Sequence, residues 1–216
     1  MSNLIWTVSG ERKHLTANEV RQFIEAARKY EDGISLFCEF LDVSGCRISE
    51  ALSVCEKNLN FIDSKVVIET LKKRKCGIFR EIPIPKGFIN RLKAHICAKK
   101  IRDKSRIWSF TRMTAYRYVV NVMHQAGLKG VHASPKGLRH GFAIEAIQSG
   151  VPLNIVQRWL GHASMATTAI YTAAIGPEER RLADRMWLVR QIDASDNGLD
   201  HGSSRQSKWL SVRRSR

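Results

Sequence analysis

Between residues 134 and 171 the chain reads SPKGLRHGFAIEAIQSGVPLNIVQRWLGHASMATTAIYT, a run that sets Lys136, Arg139, His140, His162 and Tyr171 in one helical frame. Ser134 followed by Pro135 is a helix start: an N-cap oxygen, then a proline whose missing N–H and preset φ suit the first helical position. Lys136 and Arg139 fall in that first turn and share a face. The free backbone N–H groups and the positive dipole end lie beside them, and two cations on such a turn suit a phosphate. The helix continues through Leu138, Phe142, Ala143 and Ile147 and stops at Gly150. A second helix from Pro152 carries Ile155, Val156, Trp159 and Leu160 to Gly161, with His162 just past the stop. Ser164 can cap a third, short helix, and Tyr171, nine residues after His162, is brought back towards the cationic turn. A phenol and an imidazole thus meet a phosphate-binding helix end.

Other elements must support that frame. Thr16 and Glu19 form a capping box that opens a helix carrying Val20, Phe23, Ile24 and Ala27, where the folded domain begins. A helix from about Ile34 to Val43 is apolar on most sides and predicts a buried element ending at Gly45. In CRISEALSV, Arg47 lies in a turn between two buried helices, with Ser49 and Glu50 just after it, and such restricted freedom suits a fixed ligand. Residues 65 to 70 and 78 to 84 read as strands of a hairpin, the second alternating Ile78, Ile82 and Ile84 against Arg80, with Gly77 marking the turn. Lys72, Lys73, Arg74 and Lys75 form its tip, which by itself reads as a solvated basic turn. Helices around 86 to 98 and 111 to 126 add core faces and carry Arg91, Lys93, Arg112 and Arg117 outward, towards solvent or a DNA backbone.

The chain of 216 residues carries 36 Lys and Arg against 20 Asp and Glu, a formal charge of +16 and a pI near 10.1, which points to a polyanion and first to nucleic acid. An apolar content of 44% supports a packed core, and the reading is one domain with tails: a flexible lead-in over 1–14, the domain over 15–190, and a disordered basic tail over 191–216. No apolar run approaches the ~20 residues of a membrane span, and MSNLIWTVSG lacks the regions of a signal peptide, so a cytoplasmic, nucleoid-associated protein is expected. Cys38, Cys46, Cys55, Cys76 and Cys97 are scattered without a C-x-x-C pair and read as reduced, mostly core residues. No spaced carboxylate cluster suggests a metal, and no cofactor is expected.

Taken together, R-I-S-E-A-L at 47 to 52, the lysine-tipped hairpin, L-R-H-G-F-A at 138 to 143, L-G-H at 160 to 162 and Tyr171 resemble the tyrosine recombinase (phage integrase) family over about 15 to 190. The resemblance implies a mainly α, α+β fold: the helical catalytic core of DNA breaking-rejoining enzymes with a small antiparallel sheet. It implies catalytic roles for Arg47, Lys75, Lys136, Arg139, His162 and the nucleophile Tyr171, with Lys73 as the alternative hairpin lysine and with Glu50 and His140 holding Arg47 and the helix turn in place. Lys136 stands where that family more often has histidine. Most relatives also carry an N-terminal clamp domain, expected to be absent here as in the short fimbrial inversion recombinases.

The implied function is site-specific recombination, in which strands are cut and rejoined through a covalent 3′-phosphotyrosine during integration, inversion or resolution. The implied partners are double-stranded DNA carrying recombination sites, further copies of the chain in a tetramer, and accessory DNA-binding proteins. A type IB topoisomerase would use a similar residue set, and a non-catalytic DNA-binding regulator or remnant would keep the fold alone.

Overall fold

A computed structural model describes residues 5–71, 77–102, 104–174 and 178–189. The chain divides into two compact units, Met1–Gly176 and Pro177–Arg216. Within the second, α9 spans Glu178–Val189, and its Met186 and Leu188 side chains are exposed. The expected tail over 191–216 lies outside the described residues.

The first unit is helical with one small sheet. Helix α1 (Ala17–Ala27) opens on the expected capping box: Thr16 Oγ1 accepts the Glu19 N–H, and the Glu19 carboxylate accepts the Thr16 N–H at 2.9 Å. Helix α2 (Asp32–Ser44) starts two residues earlier than its apolar run and buries Leu36, Phe37, Cys38, Phe40 and Leu41. Trp108 packs its ring 5.2 Å from Phe37 and 5.1 Å from Phe40, so α2 lies inside the main core, as a helix apolar on most sides must. One turn of helix, α3 (Ile48–Ala51), follows Arg47.

Strands β1 (Leu59–Asn60), β2 (Lys65–Glu69) and β3 (Phe79–Pro83) form an antiparallel sheet in the order β1-β2-β3, with Val66 opposite Ile82 and Ile68 opposite Arg80. The expected hairpin is present, and β1 adds a short edge that was too brief to leave a periodic signal. Arg80 is a correction. Its parity puts it on the same face as Ile82, and it is buried, whereas Ile78 is exposed. A guanidinium is tolerated there because three partners meet it: Glu50 Oε2 at 2.6 Å, Thr70 Oγ1 at 2.9 Å and the Trp159 carbonyl at 2.7 Å.

Helices α4 (Lys86–Ala98) and α5 (Arg112–Gln125) close the main core with Phe88, Leu92, Val119 and Met123. Helix α6 (Pro135–Gln148) is capped by Ser134, whose hydroxyl accepts the Gly137 N–H at 3.1 Å; α7 spans Leu153–Leu160 and α8 spans Met165–Ala169, the latter started by Ser164. A 3-10 turn over Ile170–Ala174 carries Tyr171. The lead-in expected to be flexible is held at one end: Ile5 is fully buried beside Ala143, Ile144 and Tyr171, and a bridge pairs Trp6 with Arg12, while Val8 between them is exposed. Burying one β-branched side chain and pairing its backbone holds the segment down.

Two helix-ending glycines are required by geometry. Gly45 ends α2 at φ 57°, and a Cβ there would meet the Phe142 ring at 2.3 Å. Gly161 ends α7 at φ 65°, and a Cβ there would lie 3.0 Å from the Arg80 guanidinium. Of the cysteines, Cys38 and Cys46 are buried, with burial pushing their thiols up to about 12 and about 11; Cys55 is half-buried, Cys97 is exposed, and Cys76 lies outside the described residues. No helix among the described residues is long and apolar enough to cross a membrane.

Breaking the Glu50–Arg80 pair from one side should be costly, because it leaves a buried charge with fewer partners. Arg80→Met should lose roughly 3–5 kcal/mol in urea unfolding, and the Glu50→Gln/Arg80→Met double variant less than the sum of the two single losses. Acid should also act at the N-terminal capping box. The hydrogen bond from Arg12 outweighs burial and holds the Glu19 carboxyl at about 2, below its ordinary 4.5. A depressed carboxyl stabilises above its unfolded pKa, so the stability gap between the unaltered chain and Glu19→Gln should be full at neutral pH. It should shrink as pH falls from about 4.5 towards 2.

Candidate active site

Two helix ends and two helix starts build the site. The last carbonyls of an α-helix have no partner within it, and α7 presents two of these, Trp159 and Leu160, to arginines. Arg80 Nε donates to the Trp159 carbonyl, and Arg139 Nη2 donates to the Leu160 carbonyl at 2.6 Å. Arg139 Nη1 donates to the carbonyl of Gly45, the C-cap of α2, at 2.8 Å. One guanidinium from the first turns of α6 thus joins the negative ends of two helices, where cations are favoured. Burial is the main reason its pKa falls to about 10, with the nearby Arg47 charge next; it stays charged at neutral pH.

Arg47 stands opposite, at the start of α3. Its backbone N–H and Nη1 both donate to Glu50, at 2.9 and 2.8 Å, and its side chain stays partly exposed. Burial alone would raise the Glu50 carboxyl. The Arg80 charge and the hydrogen bonds from Arg47 and Arg80 outweigh it, and the pKa lies below the ordinary carboxylate value. The anionic Glu50 is therefore shared between a buried arginine and one that reaches the surface.

These elements surround a cleft of about 660 Å³ lined by Arg47, Lys136, Arg139, His140, His162 and Tyr171, with Arg112 and Tyr116 of α5 on its wall. Lys136 is exposed on the first turn of α6. His162 holds Nδ1 3.0 Å from Thr168 Oγ1, and its carbonyl accepts from Gln157 at 3.1 Å, so the imidazole is fixed beyond the end of α7. Its ring stacks on that of Tyr171 with centroids 6.3 Å apart.

Tyr171 is 1% exposed and lies at the cleft floor, its hydroxyl 2.7 Å from His140 Nδ1. Burial raises the Tyr171 pKa, and Arg139 and Arg47 pull against that rise. Burial also lowers His140, helped by Lys136 and Arg139, to about 4, so its imidazole is neutral at neutral pH. Arg47, Lys136, Arg139, His140, His162 and Tyr171 are thus brought to one cleft, with Glu50 behind Arg47. Lys75 and its alternative Lys73 lie outside the described residues. Arg80 and Thr168 were missed by the sequence reading. Strand parity could have shown Arg80 facing the sheet's apolar side, while a buried threonine in a five-residue helix left no signal. A cleft with four cations, two imidazoles and two phenols can hold a phosphodiester and offer it an oxygen nucleophile. Among the described residues no group of His, Cys, Asp and Glu could hold a metal ion.

Residues 13–175 match the model of the phage integrase family. The chain is 28% identical over 186 residues to the tyrosine recombinase XerA of Pyrococcus furiosus, covering 83% of this chain and 64% of that protein, so it spans slightly under two thirds of its relative. The crystal structure of XerA recombinase superposes with a TM-score of 0.68 at 23% identity, over 80% of this chain and 64% of that one. A pre-cleavage complex of the XerH site-specific recombinase bound to difH substrate gives 0.63 at 26% identity, over 74% of this chain and 50% of that one. With a family match over most of its length and a fold shared with these recombinases, the chain belongs to the phage integrase family.

Proposed function

We propose that this chain is the catalytic domain, over about residues 15–190, of a site-specific DNA recombinase that works through a 3′-phosphotyrosyl intermediate. The observation that carries the reading is the cleft itself: Arg47 and Arg139 face it from fixed positions, and Tyr171 lies at its floor. The family and the DNA complex of XerH support DNA as the substrate.

The scissile phosphate would sit between the two guanidinium groups, which stay charged and offer paired N–H donors to its non-bridging oxygens. Arg139 is pre-organised by its two carbonyl partners, and Arg47 by Glu50, so little reorganisation is needed when negative charge grows in the transition state. His162 would donate to a non-bridging oxygen, Lys136 would add its charge at the helix start, and Lys75 would protonate the departing 5′ oxygen as general acid. The Tyr171 oxygen would form the new bond to phosphorus as the bond to the 5′ oxygen breaks. The stored phosphotyrosine bond would then be spent in rejoining to a second 5′-hydroxyl.

Exchange between two sites needs several active sites, and the exposed Met186 and Leu188 of α9 support packing of that helix on a neighbouring copy in a tetramer. Accessory DNA-binding proteins would fit the same assembly, as would work on the nucleoid in the cytoplasm.

On a nicked duplex carrying sites from its own genetic neighbourhood, the unaltered chain should form a protein–DNA adduct that survives a denaturing gel. Tyr171→Phe should bind the same duplex and form none. An adduct that persists in Tyr171→Phe would contradict the assignment of the nucleophile.

A further inference from the structure

In the proposed cleavage one proton still needs a destination. For Tyr171 to attack phosphorus its hydroxyl must lose a proton, and the ammonium of Lys136 and the guanidinium groups of Arg47 and Arg139 have no acceptor site. His162 has Nδ1 on Thr168. His140 Nδ1, by contrast, lies 2.7 Å from the Tyr171 oxygen, within proton-transfer distance. We propose, resting on the recombinase reading, that His140 is a catalytic residue that takes the Tyr171 proton during cleavage and returns it during rejoining.

Two observations besides the distance support this. First, the ring is otherwise poorly provided for: Nε2 is buried with no protein partner, an arrangement that costs free energy and that packing alone would not select. Second, cations surround the ring, and a bound phosphodiester would offset them. Lys136 and Arg139 on its own helix and Lys13 and His14 from the N-terminal segment disfavour a proton on His140, while Tyr171 of the 3-10 turn is its hydrogen-bond partner. A phosphodiester bound by Arg139 and Lys136 places negative charge among those cations. The basicity of His140 then rises when the phenol must be deprotonated.

The step balances within the chain and its DNA. The Tyr171 O–H bond breaks and the proton moves to Nδ1, giving an imidazolium. The phenol oxygen bonds phosphorus, the bond from phosphorus to the 5′ oxygen breaks, and that oxygen is protonated by the leaving-group acid. In rejoining the new 5′-hydroxyl gives its proton back to the leaving-group acid, now deprotonated, as its oxygen bonds phosphorus; the bond from phosphorus to the tyrosine oxygen breaks, and the imidazolium returns its proton to that oxygen.

The test is single-turnover adduct formation on the nicked duplex by the unaltered chain, His140→Ala and His140→Asn, each with DNA binding measured alongside. Each is then repeated with a ring-fluorinated tyrosine, a more acidic phenol, at position 171. Both His140 variants should bind DNA normally and form the adduct roughly 100-fold or more slowly. The fluorinated residue should restore much of that rate in the variants while changing the unaltered chain little. His140→Asn, which keeps a hydrogen bond to the phenol, covers the case in which His140→Ala does not fold. Variants as fast as the unaltered chain, or slow variants that bind DNA yet gain nothing from the acidic phenol, would overturn the proposal. An unaltered chain that forms no adduct would instead refute the recombinase reading, and the role of His140 with it.

Discussion

The carboxylate of Glu50, fully buried between Arg80 and Arg47, is the constraint on which the site depends. It fastens the sheet to α3 through Arg80 and orients Arg47 at the cleft, while Arg80 also holds the end of α7 by the Trp159 carbonyl. A buried ion pair contributes little net stability compared with an apolar replacement, because desolvation consumes most of the attraction. Here its value lies in position. One anion fixes two cations from chain segments about 30 residues apart, and only Arg47 lines the cleft.

Arg139 obeys the same logic with dipoles in place of a carboxylate. The Gly45 and Leu160 carbonyls hold its guanidinium at the ends of α2 and α7. The result is a cluster of positive charge anchored on one buried guanidinium, in a chain that carries +16 overall. Burial lowers the Arg139 pKa most and the Arg47 charge lowers it further, so the two guanidinium groups disfavour each other, while Glu50 offsets part of that repulsion. A bound phosphate would relieve the rest, so the cost of assembling the cations in the free protein becomes binding free energy for a polyanion.

Local signals were the legible ones. The Thr16 capping box, the Ser134 cap with Pro135 after it, and the left-handed stops at Gly45 and Gly161 are each decided within a few residues, and each is present. The residues that resemble the phage integrase family could be placed on those elements, which is why six of the site residues fall on one cleft. What could not be read depends on partners distant in sequence. The inward turn of Arg80 needs Glu50 and the end of α7, and the packing of Ile5 needs α6. The bond between His140 and Tyr171 joins residues 31 apart, so adjacency to Arg139 suggested only a supporting role for that histidine.

As a recombinase, the chain must bond the phenol of Tyr171 to a DNA 3′-phosphate. Mass spectrometry of the peptides recovered after the chain has reacted with a nicked duplex and the DNA has been digested tests this most directly. The expected product is a nucleotide attached through its 3′-phosphate to Tyr171, with a free 5′-hydroxyl on the released strand. A nucleotide on another residue, or attachment through a 5′-phosphate, would contradict it.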